Sequence, residues 1–232
     1  VSVFASGHNS DDMNAQIEEM TAIANTGVDA IVWVSNRLDL HNDGDDVWIK
    51  NAEYLLSKLP EDIAIGIYEC PYPYKRLLTP KILDWCISTG RFAFIKDTCC
   101  DPDMLDARLE QLKGTSIKLF NANSQTFLYT LRHGAAGFSG IMGNFHPDLY
   151  AWVCDNYEKE PEKAERVQGF LTLTAFLEAL AYPQTAKYHM NKVGVPMSLW
   201  SRSCDQKKFT KYQRMIIDEL MQTENHVRDI IK

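Results

Sequence analysis

The stretch Phe92-Ala93-Phe94-Ile95-Lys96-Asp97-Thr98 decides the fold prediction, because an apolar run ends abruptly in a lysine and small polar residues. A run that is apolar on both faces is typical of a strand covered on both sides, as in a parallel sheet. Shortly after it, Asp101-Pro102 joins a helix-capping residue to a proline suited to the first helical position. The stretch therefore predicts a buried strand followed by a helix.

The same pattern of strand and helix repeats along the chain. The other apolar runs are Val1–Ala5, Ala30–Val34, Ile63–Tyr68, Ser116–Phe120 and Ala135–Ser139. Between them lie helical stretches with start signals at Ser10 and Thr79-Pro80, and with glycines at their ends, Gly27 and Gly90. After Pro147 only helices are predicted, at Ala151–Tyr157, Pro161–Leu180, Thr185–Lys192 and about Gln206 to Ile231. This alternation predicts an α/β protein with a parallel sheet, either a TIM (β/α)8 barrel or an open doubly wound sheet.

Composition narrows the class of protein. The 232 residues are 45% hydrophobic and 24% charged, which suits a globular domain with a full core. The net charge of −7 argues against a nucleic-acid partner. We find no apolar run long enough for a membrane span and no signal peptide. The six cysteines form no C-x-x-C pair, so the sequence predicts a reduced, cytoplasmic protein without a zinc site.

Lys96 and Tyr68 are the candidate catalytic residues. In a barrel, the carboxyl end of a strand is where catalytic side chains sit, and each of these two residues closes a predicted strand. Desolvation at such a position disfavours the ammonium form of a lysine and gives the free amine that attacks a carbonyl carbon. A neighbouring phenol can carry protons to and from the adduct. An ordinary lysine that extends from a strand end, and a core tyrosine, are the alternative interpretations.

Taken together, five segments resemble the dihydrodipicolinate synthase and N-acetylneuraminate lyase family. The stretches IYECPYPYKRLLTP (67–80) and FAFIKDTCCD (92–101) are similar to the family's tyrosine and lysine motifs, and Tyr68 and Lys96 are 28 positions apart. Further similarity runs through residues 4–34, 131–150 and 181–194, so the resemblance covers nearly the whole chain.

The resemblance implies a TIM barrel with carboxy-terminal helices, usually a homotetramer. Residues 1–150 would hold barrel strands three to eight, and residues 151–232 the last barrel helix and a helical extension. Lys96 would form a Schiff base with pyruvate or a related 2-oxo acid, and Tyr68 would relay protons, with no metal or organic cofactor. The substrate-binding residues would be Ser139, Gly137, Lys75 and Arg76. The first two βα units would precede Val1, because the chain opens inside a predicted strand and not at a methionine.

Departures from the family pattern bear on which reaction and which second substrate the protein has. Ser35-Asn36-Arg37 stands where the synthases carry a tyrosine pair, and Pro73 stands where they carry an arginine. Asn121-Ala122-Asn123 replaces the usual G-D-D. These changes argue against lysine biosynthesis and leave the second substrate open. In the family, a Gly-Thr-Thr-Gly-Glu loop holds the carboxylate of the 2-oxo acid. This loop would also lie before Val1. A catalytically inactive family member, acting as a binding or assembly subunit, is therefore the alternative function.

Three weaker signals are interpreted as structural. The acidic segment 39–46 resembles a calcium loop, but its twelfth position is Lys50, so we expect a solvated loop. His133 and His146 are expected at the surface or as helix caps. Glycines at 134, 137, 140 and 143 recur every third residue, unlike G-x-G-x-x-G, which excludes a dinucleotide site.

Overall fold

The computed structural model describes residues 2–232, which form two compact units. The first comprises the residues up to 121 together with 133–136, and the second comprises 122–132 and 137–232. Val1, the first residue of the first predicted strand, lies outside the described residues. The predicted boundary between 150 and 151 follows the family's barrel and stays a prediction.

The first unit is built on five parallel strands. They are β1 (Phe4–Ala5), β2 (Ala30–Val34), β3 (Ala64–Tyr68), β4 (Phe92–Asp97) and β5 (Lys118–Asn121), and they lie in the sheet in chain order. The connections hold α1 (Met13–Ala24), α2 (Asp45–Leu56), α3 (Pro80–Thr89) and α4 (Pro102–Leu112), and a 3₁₀ turn at Ser35–Leu38. The predicted strands and the parallel arrangement of this unit are confirmed.

Helix boundaries follow the capping chemistry of the sequence. The Thr79 hydroxyl accepts the Ile82 N–H at the start of α3, and the Asp101 carboxylate accepts the Met104 N–H at the start of α4. Gly90 ends α3 in the left-handed region, at φ 66°. One predicted cap was wrong. Asp12 caps α1, whereas the Ser10 hydroxyl donates to Glu19.

The sheet of the first unit is curled, as aromatic contacts on its inner face show. Phe4 of β1 stacks on Phe94 of β4, with 4.7 Å between ring centroids, although two strands separate them. In a flat sheet these strands would be roughly 14 Å apart, at about 4.8 Å per strand. Phe94 also packs against the ring of Phe120 in β5, at 5.9 Å and 89°. The strands therefore bend around a shared aromatic layer, as barrel strands do.

The outer face of the same sheet carries the larger core. Ile65, Ile67 and Trp33 are fully buried there, and Phe92 packs against Trp33 at 5.4 Å and against Trp85 of α3 at 5.7 Å. Burying this apolar surface stabilises the unit by about 25 cal/mol per Å² removed from water. The helices of the first unit are thereby fixed on the outside of the curl.

The second unit is mainly helical. It contains β6 (Gly137–Phe138), α5 (Phe127–Arg132), α6 (Pro147–Asn156), α7 (Pro161–Thr174), α8 (Gln184–Lys192) and α9 (Lys211–Ile230). Helix α7 ends earlier than predicted, in a 3₁₀ turn at Ala175–Ala179, and α9 begins only after the capping box that Thr210 forms with Gln213. Within residues 2–232, none of the helices combines the length and apolar character needed to cross a membrane.

Candidate active site

Tyr68 and Lys96 lie side by side at the carboxyl ends of β3 and β4. They are paired in the register of the two strands, and Nζ of Lys96 lies 4.1 Å from the centroid of the Tyr68 ring. Both side chains are partly exposed. A cation at this distance over a ring is held by the negative potential of the ring face. The structure thus brings the two predicted catalytic residues together.

The face on which Lys96 lies is set by an irregularity in β4. Ile65 pairs with Phe92, but Gly66 pairs with Phe94, so β4 contains one extra residue, Ala93. Phe92 therefore faces the helices with Ile65, whereas Phe94 and Lys96 face the inside of the curl. This bulge gives Lys96 the same orientation as Tyr68.

An aromatic layer lies on the inner face below the pair. Phe94 is two residues before Lys96 in β4 and is 7% exposed, and Phe120 pairs with Lys96 in the strand register. Gly66 makes room for this layer, because a Cβ at that position would lie 2.1 Å from Cζ of Phe94. The floor of the candidate site is therefore apolar and closely packed.

Arg108 of α4 lies on the opposite side of the sheet, between Glu69 and Asp97. Its guanidinium donates to Oε1 and Oε2 of Glu69, at 2.7 Å and 3.1 Å, and also contacts Oδ2 of Asp97. All three side chains are at most 4% exposed. Burial and the charge of Asp97 raise the pKa of Glu69 against the attraction of Arg108. Although burial opposes its charge, the two carboxylates raise the pKa of Arg108.

The sequence motifs did not indicate this buried cluster, although the chain contains a signal for it. An acidic residue directly follows each candidate catalytic residue, at Glu69 and Asp97. Successive side chains of a strand point to opposite faces, so if Tyr68 and Lys96 face the site, both carboxylates face the helices. Two acidic groups directed into a helix-covered layer need a buried cation, which a search of the next helix finds in Arg108.

Lys75 and Arg76 follow the tyrosine strand but have different surroundings. Nζ of Lys75 donates to the carbonyl oxygen of Thr98 at 2.8 Å, so this amine lies at the same end of the sheet as Lys96. Arg76 is 8% exposed, and its guanidinium donates to Asp39 at 3.1 Å and to Asp45 at 2.8 Å. This ion pairing gives Arg76 a structural role, and its predicted contact with substrate stays a prediction.

The segment 39–46 is not a solvated loop throughout, as the sequence analysis expected. Asp39 is 1% exposed, and its carboxylate accepts the backbone N–H groups of Asp43 and Gly44 in addition to Arg76. Asp45 and Asp46 form the first turn of α2. Asp39 is buried because the loop folds around its carboxylate. Among residues 2–232, no three His, Cys, Asp or Glu side chains converge in a way that could hold a metal ion.

Among the cysteines whose thiol pKa is shifted, Cys99 is the nearest in sequence to Lys96. Burial raises the pKa of this thiol to about 12, and the nearby charge of Asp97 acts in the same direction. A thiol with so high a pKa carries very little thiolate at neutral pH, so it is a poor nucleophile. Cys99 is therefore a packing residue of the strand end.

Gly137 and Ser139, two predicted substrate-binding residues, lie in the second unit. Gly137 is buried in β6, and Ser139 follows it, half-buried. The nearby Gly140 has a packing role, because a Cβ there would lie 2.3 Å from the Phe138 ring and 2.4 Å from the carbonyl oxygen of Ala122. The contact of Gly137 and Ser139 with substrate stays a prediction.

His146 is buried, which contradicts the expectation of a surface residue. It takes the N-cap position of α6, but its ring bonds to Glu224 of α9 at 3.0 Å instead of capping the helix. His189 of α8 bonds to the same carboxylate at 2.9 Å, and Arg228 donates to it at 3.1 Å. Burial opposes the charge of Glu224, but its hydrogen bonds with His146 and His189 lower its pKa to about 2. The cluster ties three helices of the second unit together.

Comparison with known proteins identifies neighbours by structure alone. Neither a family model nor a curated protein matches the chain. A monomeric dihydrodipicolinate synthase variant aligns with a TM-score of 0.82 and 14% identity, over 97% of this chain and 74% of that chain. A catalytic lysine mutant of the Ruminococcus gnavus sialic acid aldolase aligns with a TM-score of 0.83 and 16% identity, over 100% of this chain and 75% of that chain. YagE, an E. coli K12 prophage protein of the dihydrodipicolinic acid synthase family, was solved in complex with pyruvate. It aligns with a TM-score of 0.81 and 18% identity, over 96% of this chain and 75% of that chain.

These alignments settle the fold. The chain has the fold of the dihydrodipicolinate synthase and sialic acid aldolase structures, over about three-quarters of their length. The barrel prediction is therefore confirmed against the open doubly wound sheet, and the family resemblance is confirmed at the level of fold. At sequence identities of 14–18%, these alignments show the shared fold and do not show a shared activity.

Proposed function

We propose that this chain is a Schiff-base-dependent lyase or aldolase that acts on pyruvate or a related 2-oxo acid. The observation that carries the proposal is the position of Nζ of Lys96, 4.1 Å above the Tyr68 ring at the carboxyl ends of two adjacent parallel strands. Barrel enzymes place their catalytic side chains at this end of the strands. An amine beside a phenol is the minimum set needed to form an imine and to move the protons of that reaction.

The reaction begins when the neutral amine of Lys96 attacks the C2 carbonyl carbon of the 2-oxo acid. The resulting carbinolamine loses water and becomes a protonated imine, with the Tyr68 phenol giving and taking the protons. In the cleavage direction, the imine accepts the electron pair of the C3–C4 bond while the C4 hydroxyl loses its proton, so an aldehyde leaves. Protonation of the enamine at C3 and hydrolysis of the imine then release the shortened 2-oxo acid and the free lysine.

Two structural neighbours support this chemistry. YagE was solved with pyruvate, and the sialic acid aldolase is a mutant of its catalytic lysine. We extend these two properties to Lys96 as part of the proposal. The surroundings of Lys96 suit a small oxo acid, because the aromatic floor excludes water from one side and Lys75 brings a positive charge toward the strand ends.

The remaining parts of the proposal come from the sequence resemblance. Ser139, Gly137, Lys75 and Arg76 are proposed to contact the substrate, and no cofactor is proposed. A homo-oligomer is proposed, and lysine biosynthesis is not. The six free cysteines favour a reducing compartment, so we propose that the protein works in the cytoplasm.

The test is to trap the imine. The protein is mixed with pyruvate, reduced with borohydride and measured by intact mass spectrometry and peptide mapping. We expect the mass to rise by one pyruvic acid less one oxygen atom, on Lys96 alone. Lys96→Ala should abolish the adduct. Lys113→Ala, which removes an exposed amine at the end of α4, is the matched control and should trap pyruvate as wild type does.

An adduct on other lysines at equal yield, or none with pyruvate and other 2-oxo acids from folded protein, would contradict the proposal. That result would favour the alternative function as a binding or assembly subunit without catalysis.

A further inference from the structure

The cluster of Glu69, Asp97 and Arg108 is an unusual structure for the outer layer of a sheet. Charged groups rarely occupy such fully buried positions, because removing them from water costs more than most ion pairs return. Here two carboxylates share one guanidinium, so the cluster has more negative than positive groups. Apolar residues of similar volume would fill this layer at lower cost in free energy. The cluster therefore calls for a reason other than stability.

The position of the carboxylates in the chain supplies that reason. Glu69 directly follows Tyr68, and Asp97 directly follows Lys96. Because strand side chains alternate, the two reactive groups point inward while the two carboxylates point outward from the same strand ends. Fixing the outward carboxylates against Arg108 therefore fixes the backbone from which Tyr68 and Lys96 extend.

The hydrogen bonds of Glu69 extend this fixation to the segments that follow both strands. Its Oε1 accepts the N–H of Leu78, and its Oε2 accepts the N–H of Thr98 at 3.0 Å. The Thr98 hydroxyl donates to the carbonyl oxygen of Glu69 at 2.7 Å, and Arg108 also donates to the carbonyl oxygen of Leu78. One side chain thus joins the end of β3, the end of β4 and the start of α3 to helix α4.

We propose that Arg108, Glu69 and Asp97 act as positioning residues that hold the Tyr68 phenol and the Lys96 amine in their mutual geometry. The inference rests on the proposed function for its catalytic consequence, but the geometry that it explains can be measured without any turnover. Arg108 acts through the two carboxylates and touches neither the amine nor the phenol in the contacts described above.

The first measurement is the rate at which an amine reagent, acetic anhydride, labels Lys96. Mass spectrometry compares it with the rate at Lys113 in the same sample. We expect Arg108→Met to raise the Lys96 rate about threefold, because losing the contact with the Tyr68 ring leaves the amine freer to react. Asp97→Asn is the second variant, since it keeps Oδ1 for the Cys99 N–H, balances the charge of the cluster and is expected to fold.

The second measurement is the rate of imine trapping with pyruvate. Misplacing the amine should lower the trapping rate of both variants by about tenfold or more, with little change in the pyruvate concentration at half-saturation. Arg108→Lys should recover part of the rate. Leu105→Ala is the matched control, because Leu105 is a fully buried core residue one turn away on α4. It should lower the melting temperature and leave both rates unchanged.

The outcomes are distinguishable. Unchanged labelling of Lys96 in folded Arg108→Met or Asp97→Asn overturns the positioning role, whatever the trapping shows. Changed labelling without any pyruvate adduct in wild type supports the positioning role and overturns the proposed function. If labelling and trapping change equally in Leu105→Ala, the cluster has only a structural role and the inference fails.

Discussion

Replacing Gly66 by alanine tests whether the sheet is curled around the ring of Phe94. Gly66 lies in β3, two residues before Tyr68, and faces the inside of the curl. An added Cβ would lie 2.1 Å, 2.3 Å and 2.6 Å from three atoms of the Phe94 ring. The ring has little room to retreat, because it stacks on Phe4 and packs against Phe120.

Two opposing effects determine the expected magnitude. Replacing a strand glycine by alanine restricts the unfolded chain and should stabilise the fold by about 0.5–1 kcal/mol. Overpacking a filled core costs about 1–3 kcal/mol. Because the contacts lie far below van der Waals distance, the second effect should prevail. We expect Gly66→Ala to lower the free energy of unfolding by about 1–2 kcal/mol.

The assay is urea unfolding followed by circular dichroism, in a double-mutant cycle with Phe94→Leu. Leucine lacks the three ring atoms that the new methyl group meets, so in this background Gly66→Ala should be neutral or stabilising. The coupling free energy should be about 2 kcal/mol. Gly169→Ala in α7 is the matched control, since no atom lies within 4 Å of its added Cβ. It should stabilise its helix by about 1 kcal/mol.

A stability of Gly66→Ala equal to or above that of wild type would refute this reasoning. So would a double-mutant cycle without coupling. Either result would mean that the Phe94 ring does not occupy the space beside Gly66 and does not form a floor below Lys96.

Three further perturbations test other sites in the two units. Burial lowers the pKa of His8 to about 4. As the pH decreases, His8 is therefore protonated near pH 6.5 in the unfolded chain but only near pH 4 in the folded chain. The free energy of unfolding should fall across this window as pH decreases, by up to about 3 kcal/mol, and urea titrations of His8→Gln should lack that slope. Tyr68→Phe keeps the ring below the amine but removes the phenol proton, so quenched trapping should show pyruvate imine forming about 10²-fold more slowly. Glu224→Ala leaves His146, His189 and Arg228 without their shared acceptor, and should destabilise the second unit by about 3 kcal/mol, detected as faster proteolysis of α9.

The order of strands and helices could be predicted because local signals carried it. Apolar runs located the strands, and pairs such as Thr79-Pro80 located helix starts to the residue. The two predicted catalytic residues lie together for the same reason, since parallel strands that are neighbours in the sheet end at the same edge. Such features depend on a few consecutive residues and on general rules of sheet geometry.

The buried polar groups could not be located in this way, because their partners are distant in sequence. Asp39 and His146 look like surface residues when each is taken alone, yet both are at most 1% exposed. Their partners are 37 and 78 residues away, and only the tertiary structure brings them close. Arg76 is likewise paired with Asp39 and Asp45, which the local sequence did not indicate, and its predicted contact with substrate stays a prediction.

The orientation of Lys96 is the most consequential feature that strict alternation predicts wrongly. Phe92 faces the helices, and a regular strand would direct the residue four positions later to the same face. Lys96 would then lie in the helix-covered layer and Asp97 would face the inside. The extra residue in β4, Ala93, reverses this assignment for every position after it. One bulge therefore places the amine beside the Tyr68 ring and, in the same step, places the Asp97 carboxylate where Arg108 can bind it. The proposed reactive pair and the proposed positioning cluster are two consequences of a single change of register.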